Sequence, residues 1–305
     1  MTFTHNSVLF HECINALNIR KDALIVDCTA GLGGHSQGIL ERGGRLICID
    51  RDPQAIARLR QKFAGNSDVT IIHGNFFDCK EILAKQGVTC VSGILVDLGV
   101  SSMQLDDHSR GFSFHHDAKL DMRMESAGKT AADVVNTMDE LTLGDILKRF
   151  ADEPFHRRIA KAIAAARSEN PITTTLQLAH IVRDAVPAAA RRDGHPARRT
   201  FQALRIYING EIDRLPDALD DLFDLLAPKD RLACISFHSL EDRIVKHSFA
   251  KHCKGCQCPP NCPQCLCGVT PRGRKVGKPR TASPAEIAEN PRARSAKLRV
   301  IEKLI

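Results

Sequence analysis

Gly31, Gly33 and Gly34 lie in VDCTAGLGGHS (Val26 to Ser36), directly after a short apolar run. Glycines at such a point allow a tight strand-to-helix turn and let a ligand approach the backbone. Seventeen residues beyond Gly33, Asp50 closes a second apolar run, RLICID. A carboxylate there can accept hydrogen bonds from both ribose hydroxyls of an adenosine ligand. Two cofactors suit a turn and an acid so placed. A dinucleotide site wants GxGxxG, and here Ser36 stands in place of the third glycine. S-adenosylmethionine (SAM) has no phosphates, so it needs the turn and the acid but no pyrophosphate cradle. Glycines alone are as compatible with a tight turn that binds nothing.

Asp97 ends a further apolar run in GILVDLGV (Gly93 to Val100), and Ser101, Ser102 and Gln104 follow. The carboxyl ends of parallel strands are where α/β sheets bind ligands. A carboxylate there would lie near a methyl donor and near an incoming nucleophile, although a lone strand-end aspartate also reads as a helix cap. Phe76, in HGNFFD, can lie against an adenine ring for about 1 kcal/mol or simply fill core. The chain contains no Pro-Cys pair, so the usual cysteine nucleophile for methyl transfer to a pyrimidine carbon is missing. Transfer to an exocyclic amine needs no covalent intermediate. The amine must be aimed at the sulfonium methyl and its protons must be hydrogen-bonded, and such positioning is worth roughly 7 to 11 kcal/mol in the best-oriented cases. Asp97 and the carbonyls of its loop are the acceptors this reading selects.

These residues need a sheet to hold them. LIVDC, RLICID, VTIIH and GILVDLGV read as buried strands, and the segments between them as helices. That alternation predicts a parallel sheet covered on both faces. From 106 to 203 the pattern is helical throughout, as in DELTLGDILKRFADE, FHRRIAKAIAAARSE and TTLQLAHIVRDAV. The expected organisation is a Rossmann-like α/β domain in two parts, 1–105 and 204–305, split by an all-helical insertion. YINGEIDRLPDALDDLFDLLA reads as helix broken or kinked at Pro216. APKDRLACISF gives a turn and a strand, KLRVIEKLI a closing strand, and the Gly- and Pro-rich stretch 268–291 an extended loop.

The chain has 305 residues, 43% hydrophobic and 26% charged, which excludes a disordered chain, a collagen and a coiled-coil rod. No apolar run spans a bilayer and the start is unlike a secretory signal, so a cytoplasmic protein is expected. The net charge is +7, and Arg272 to Ile305 carries ten Lys/Arg against three Asp/Glu, leaving the rest of the chain balanced. Such local excess suggests a polyanionic partner.

VDCTAGLGGHS, IDRDP, DLGVSSMQLDD, RGFSF, LDMRM, RTFQALRIYIN, ISFHSLEDR and NPRARSAKLR, in that order, resemble the bacterial ribosomal RNA small-subunit methyltransferase H family. The resemblance runs from His5 to Leu304. It implies a class I methyltransferase domain with an inserted helical domain, SAM as cofactor, and methylation of the N4 amine of a cytosine in the decoding centre of 16S rRNA. It implies an rRNA partner within the small ribosomal subunit, no membrane and no metal, and leaves monomer or homodimer open. Its SAM contacts would fall on Gly33, Gly34, His35, Asp50, Phe76, Asp97 and Gln104, with His35 and Gln104 implied by the resemblance alone. The DPPY-type loop of many amino-methyltransferases is replaced here by DLGVSS, so a catalytic role for Asp97 is not carried over from them.

Other constellations compete. CKGCQCPPNCPQCLC (Cys253 to Cys267) repeats CxxCxC twice, a spacing suited to zinc, to redox work or to a loop without a role. His238, Ser239, Glu241 and Asp242 invite a hydrolase triad, but GxSxG is absent and the four are nearly consecutive. Phe112 and Phe114 offer stacking to a flipped-out base or core filling. Arg191, Arg192, Arg198, Arg199 and Arg205, with Arg292, Arg294, Lys297 and Arg299, compose a phosphate-binding stripe or a solvated face. A pure RNA-binding module would not need the glycine turn with Asp50.

Overall fold

The computed structural model describes residues 7–125, 127–191, 194–255 and 267–305. Eight strands form one sheet: β1 (Leu24–Asp27), β2 (Arg45–Asp50), β3 (Val69–His73), β4 (Val91–Asp97), β5 (Leu226–Ser236), β6 (Gly273–Lys275), β7 (Arg280–Thr281) and β8 (Lys297–Lys303). Their order is β3-β2-β1-β4-β5-β8-β6, with β7 pairing β8. The first five are mutually parallel, and β8 runs antiparallel to β5, β6 and β7. This is the Rossmann-like arrangement of a class I methyltransferase, and its order reverses between β1 and β4. The central strands are apolar runs sealed on both faces, as Ile25, Val26, Ile94, Leu95 and Val96 show.

The chain divides into two units, Met1–Gly99 with Asp213–Ile305, and Val100–Ile212. The sheet unit carries α1 (Phe10–Leu17), α2 (Gly34–Glu41), α3 (Pro53–Lys62) and α4 (Cys79–Lys85) before the interruption. The second unit holds α5 (Ser102–Asp106), α6 (Ala131–Thr137), α7 (Glu140–Ala151), α8 (His156–Glu169), α9 (Thr175–Ala185) and α10 (Arg198–Asn209). The sheet unit then resumes with α11 (Leu215–Leu225), α12 (Ser239–His252) and α13 (Pro284–Glu289). In the helical unit Leu143, Leu147 and Phe150 of α7 join Ile159 and Ile163 of α8, Leu178 and Val182 of α9, and Phe201 and Leu204 of α10 among the buried side chains. Thr130 and Thr174 open α6 and α9 with capping boxes. No helix among the described residues is long and apolar enough to cross a membrane.

The structure departs from the sequence reading at three places. Residue 203, the expected end of the insertion, lies inside α10, which packs on α7, so the whole helix belongs to the helical unit. The break expected at Pro216 falls earlier. α10 ends at Gly210 in a left-handed conformation (φ 58°), and Pro216 sits in the first turn of α11, where its missing N–H costs nothing. The stretch 268–291 is not all extended loop: β6 and β7 add to β8 there, and Ser283 caps α13.

Candidate active site

β1, β2 and β4 end at the same edge of the sheet with Asp27, Asp50 and Asp97. The glycine turn follows β1. Gly31 (φ 53°) and Gly33 (φ 70°) adopt left-handed conformations that a side chain disfavours. A Cβ on Gly34 would collide with Ser7 Oγ, so a side chain there would force the Ser7 side chain aside. Asp50 closes the turn from the neighbouring strand. Its Oδ2 accepts the Gly31 N–H and its Oδ1 the Asp52 N–H, each at 2.8 Å. Each oxygen keeps a second lone pair for a ribose hydroxyl. Burial raises the Asp50 carboxyl above its ordinary value, and the two N–H donors oppose that rise. In IDRDP, Asp52 is the N-cap of α3 and Pro53 its first residue, so the motif pairs a site acid with a helix start.

Asp97 is partly buried, and its Oδ1 is sealed from solvent with no hydrogen-bond partner among the described residues. Burial, then the charges of Asp27 and Glu241, push its pKa well above the usual carboxylate range. Its N–H donates to Thr29 Oγ1 at 2.7 Å. A buried carboxyl oxygen left without a partner is expensive while ionised, which is consistent with the raised pKa. Phe76 follows β3 in a short 3-10 turn capped by Asn75 and is partly exposed, while its neighbour Phe77 is buried. Phe76, not Phe77, is therefore available to meet a ring.

His35 and Gln104 have structural work of their own. His35 Nε2 lies 3.0 Å from the Val8 carbonyl and holds the N-terminal segment over α2. Gln104, in the helical unit, completes a capping box with Ser101 at the start of α5. Three contributors escaped the sequence reading. Asp27 is buried beneath the turn and accepts the Ser36 hydroxyl at 2.7 Å. Thr29 receives the Asp97 N–H. Lys62 reaches from the end of α3 to the carbonyls of Leu32 (3.2 Å) and Gly33 (2.6 Å). An acid beginning the motif was the only local signal available. Ser36 stands where a dinucleotide fingerprint has the third glycine, the position of close helix–strand packing, and there its hydroxyl donates to Asp27 at the end of β1. An acid at the end of β2, a tight glycine turn and a second acid at the end of β4 form a set that suits SAM.

Other expected groupings dissolve. His238 is the N-cap of α12, its Nδ1 3.3 Å from the Glu241 N–H, and Glu241 Oε2 accepts the Phe237 N–H at 2.8 Å. That arrangement is a capping box, not a triad. Asp242 instead holds Lys297 (2.9 Å) and Arg299 (2.7 Å), and Glu211 holds Arg205 at 2.9 Å. These three cations leave the proposed stripe, whereas Arg198, Arg199, Arg292 and Arg294 remain exposed. Arg192 lies outside the described residues, as do Cys256, Cys258, Cys262 and Cys265. Cys253 is half-buried and Cys267 exposed. Phe112 is buried, and Phe114 stacks on His195 at 4.5 Å. Asn209 ties LDMRM to RTFQALRIYIN, accepting the Met124 N–H and donating to the Met122 carbonyl, each at 2.8 Å.

Comparison with known proteins gives a consistent result. Residues 2–304 match the model of the MraW methylase family. A ribosomal RNA small subunit methyltransferase H of Clostridium botulinum is 47% identical over the whole of both chains. One of Geobacter sp. is 49% identical over 99% of each. An rRNA methylase from Streptococcus thermophilus superposes with a TM-score of 0.46 at 10% identity, covering 99% of this chain and 100% of its own. The chain belongs to the MraW methylase family.

Proposed function

We propose that this methylase transfers the methyl group of SAM to the exocyclic N4 amine of a cytosine in the decoding centre of 16S rRNA. The broader class, a SAM-dependent methyltransferase of small-subunit ribosomal RNA, follows from the family and from relatives that bear that name. The observation that carries the finer reading is the Asp97 carboxyl, set at the end of β4 in a partly exposed residue. An amine N–H donated to the open side of this carboxyl would be aimed along the edge where the glycine turn lies. SAM supplies an electrophilic methyl on a sulfonium, and a cation beside Asp97 favours its ionised form. Gly33 and Gly34 admit the cofactor to the backbone, Asp50 takes the ribose hydroxyls and Phe76 takes the adenine face. His35 serves the cofactor through the segment it holds, and Gln104 through the loop it caps.

The helical unit and the exposed arginines are read as the rRNA-binding part, and an assembled small subunit in the cytoplasm as the substrate. The test of the Asp97 role is Asp97→Asn with tritiated SAM and small subunits lacking the modification. Turnover is expected to fall by about a hundredfold or more, with SAM affinity changed far less. Equal losses in both would make Asp97 a cofactor ligand only.

A further inference from the structure

The β1–β4 ladder ends at the Asp27–Leu95 pair. One last rung runs from the Cys28 N–H to the Leu95 carbonyl at 2.9 Å, and β1 then leaves the sheet for the glycine turn. β4 continues beside β5 as far as the Asp97–Ile235 pair. Successive residues of a parallel strand present their backbone groups to alternate neighbours. Leu95 faces β1, and Leu98 faces β5 through its N–H to the Ile235 carbonyl at 3.0 Å. The Asp97 N–H therefore faces the side that β1 has vacated, and a part-buried N–H that has lost its ladder partner needs another acceptor. Thr29 Oγ1 supplies it at 2.7 Å, a short bond for a neutral pair.

We propose that Thr29 is a positioning residue for methyl transfer. Its hydroxyl replaces the missing rung and fixes Asp97 relative to the glycine turn, so that acceptor and cofactor keep one register as the crevice opens. The proposal rests on the role of Asp97 given above. Thr29 also lies against Asp27, whose Oδ1 is 3.4 Å from the Thr29 N–H. One residue thus touches both strand ends that flank the switch point.

Thr29→Val preserves the shape and removes the acceptor; Thr29→Ser keeps the acceptor. Both, with Asp97→Asn, are assayed as full chains for turnover on unmodified small subunits, for SAM affinity by calorimetry and for thermal stability. Thr29→Val is expected to lower kcat by about tenfold while the SAM Kd moves less than about threefold, and Thr29→Ser to recover most of the loss. A valine variant that turns over at the parent rate overturns the proposal, and so does a serine variant as slow as the valine one. Thr29→Ala, which adds no methyl group against the Asp97 N–H, gives the same readout if the valine variant does not fold. A slow Asp97→Asn beside a fast Thr29→Val removes only the Thr29 role. An unimpaired Asp97→Asn removes the Asp97 reading and Thr29 with it.

Discussion

Replacing Gly33 by alanine tests the cofactor turn most directly. Gly33 precedes α2 with φ 70° and ψ 35°, and its carbonyl is held by Lys62. A left-handed conformation costs an L residue about 1–2 kcal/mol. A Cβ there would also lie 2.9 Å from Leu59 Cδ2 and 2.9 Å from Phe63 Cε2. Leu59 is fully buried and Phe63 is 7% exposed, so neither can swing into water. Overfilling a packed site of this kind costs about 1–3 kcal/mol. The expected loss is the sum, about 2–5 kcal/mol, a large share of a typical stability. Gly65→Ala supplies the internal control, because φ is 78° there and a Cβ meets nothing within 4 Å. Urea unfolding followed by circular dichroism, with linear extrapolation, separates the two terms. Calorimetric titration of SAM into the folded variants then reports the turn itself. The reasoning is refuted if both variants lose the same stability, or if Gly33→Ala binds SAM as the parent does.

Other expectations follow from the same edge of the sheet. Asp50→Ala removes the ribose acceptor and the clamp on Gly31, and the SAM Kd is expected to rise by at least about tenfold; an unchanged calorimetric titration would dismiss the ribose role. Burial lifts the Asp27 carboxyl from 3.8 to about 6. The folded state then binds this proton more tightly than the unfolded state, so the group's contribution is full below about pH 4 and is lost as pH rises through about 6. The gap is worth roughly 3 kcal/mol. Asp27→Asn should therefore show a smaller loss of Tm than the parent between about pH 4.5 and 7.5, and parallel curves would contradict the assignment. Binding of rRNA should weaken steeply with salt, and Arg198→Ala with Arg199→Ala should reduce the slope of log K against log salt; a flat response would exclude the exposed arginines from the interface.

The cofactor turn was legible because its information is local. Three glycines, a strand before them and an acid at the end of the next strand fall within 27 residues, with Leu24 at the start of that stretch and Asp50 at its end. The parallel strands were legible because strands sealed on both faces read as unbroken apolar runs. What escaped depends on distant partners. β6 and β7 are too short to declare themselves and exist because β8 offers them a ladder. APKD reads as a turn and forms an irregularity inside β5: Leu226 pairs with Val91 and Arg231 with Gly93, and between them Lys229 is left-handed (φ 71°). Lys297 and Arg299 suit phosphate contacts by sequence, but Asp242, more than fifty residues away, holds both. Thr29 carries no signal of its own, since nothing in TAG says that a neighbouring strand outlasts its own by two residues.

Leu9 takes a left-handed conformation, and its N–H reaches Glu286 Oε1 at 2.7 Å, across 277 positions of chain. This bond closes a loop over most of the described chain. Without β8, β5 lacks its second neighbour, and without α13 the segment above α2 lacks its distant anchor. Both are contacts of long sequence separation, so forming them carries a large loop-closure cost, and folding of the sheet unit is expected to be slow for its size.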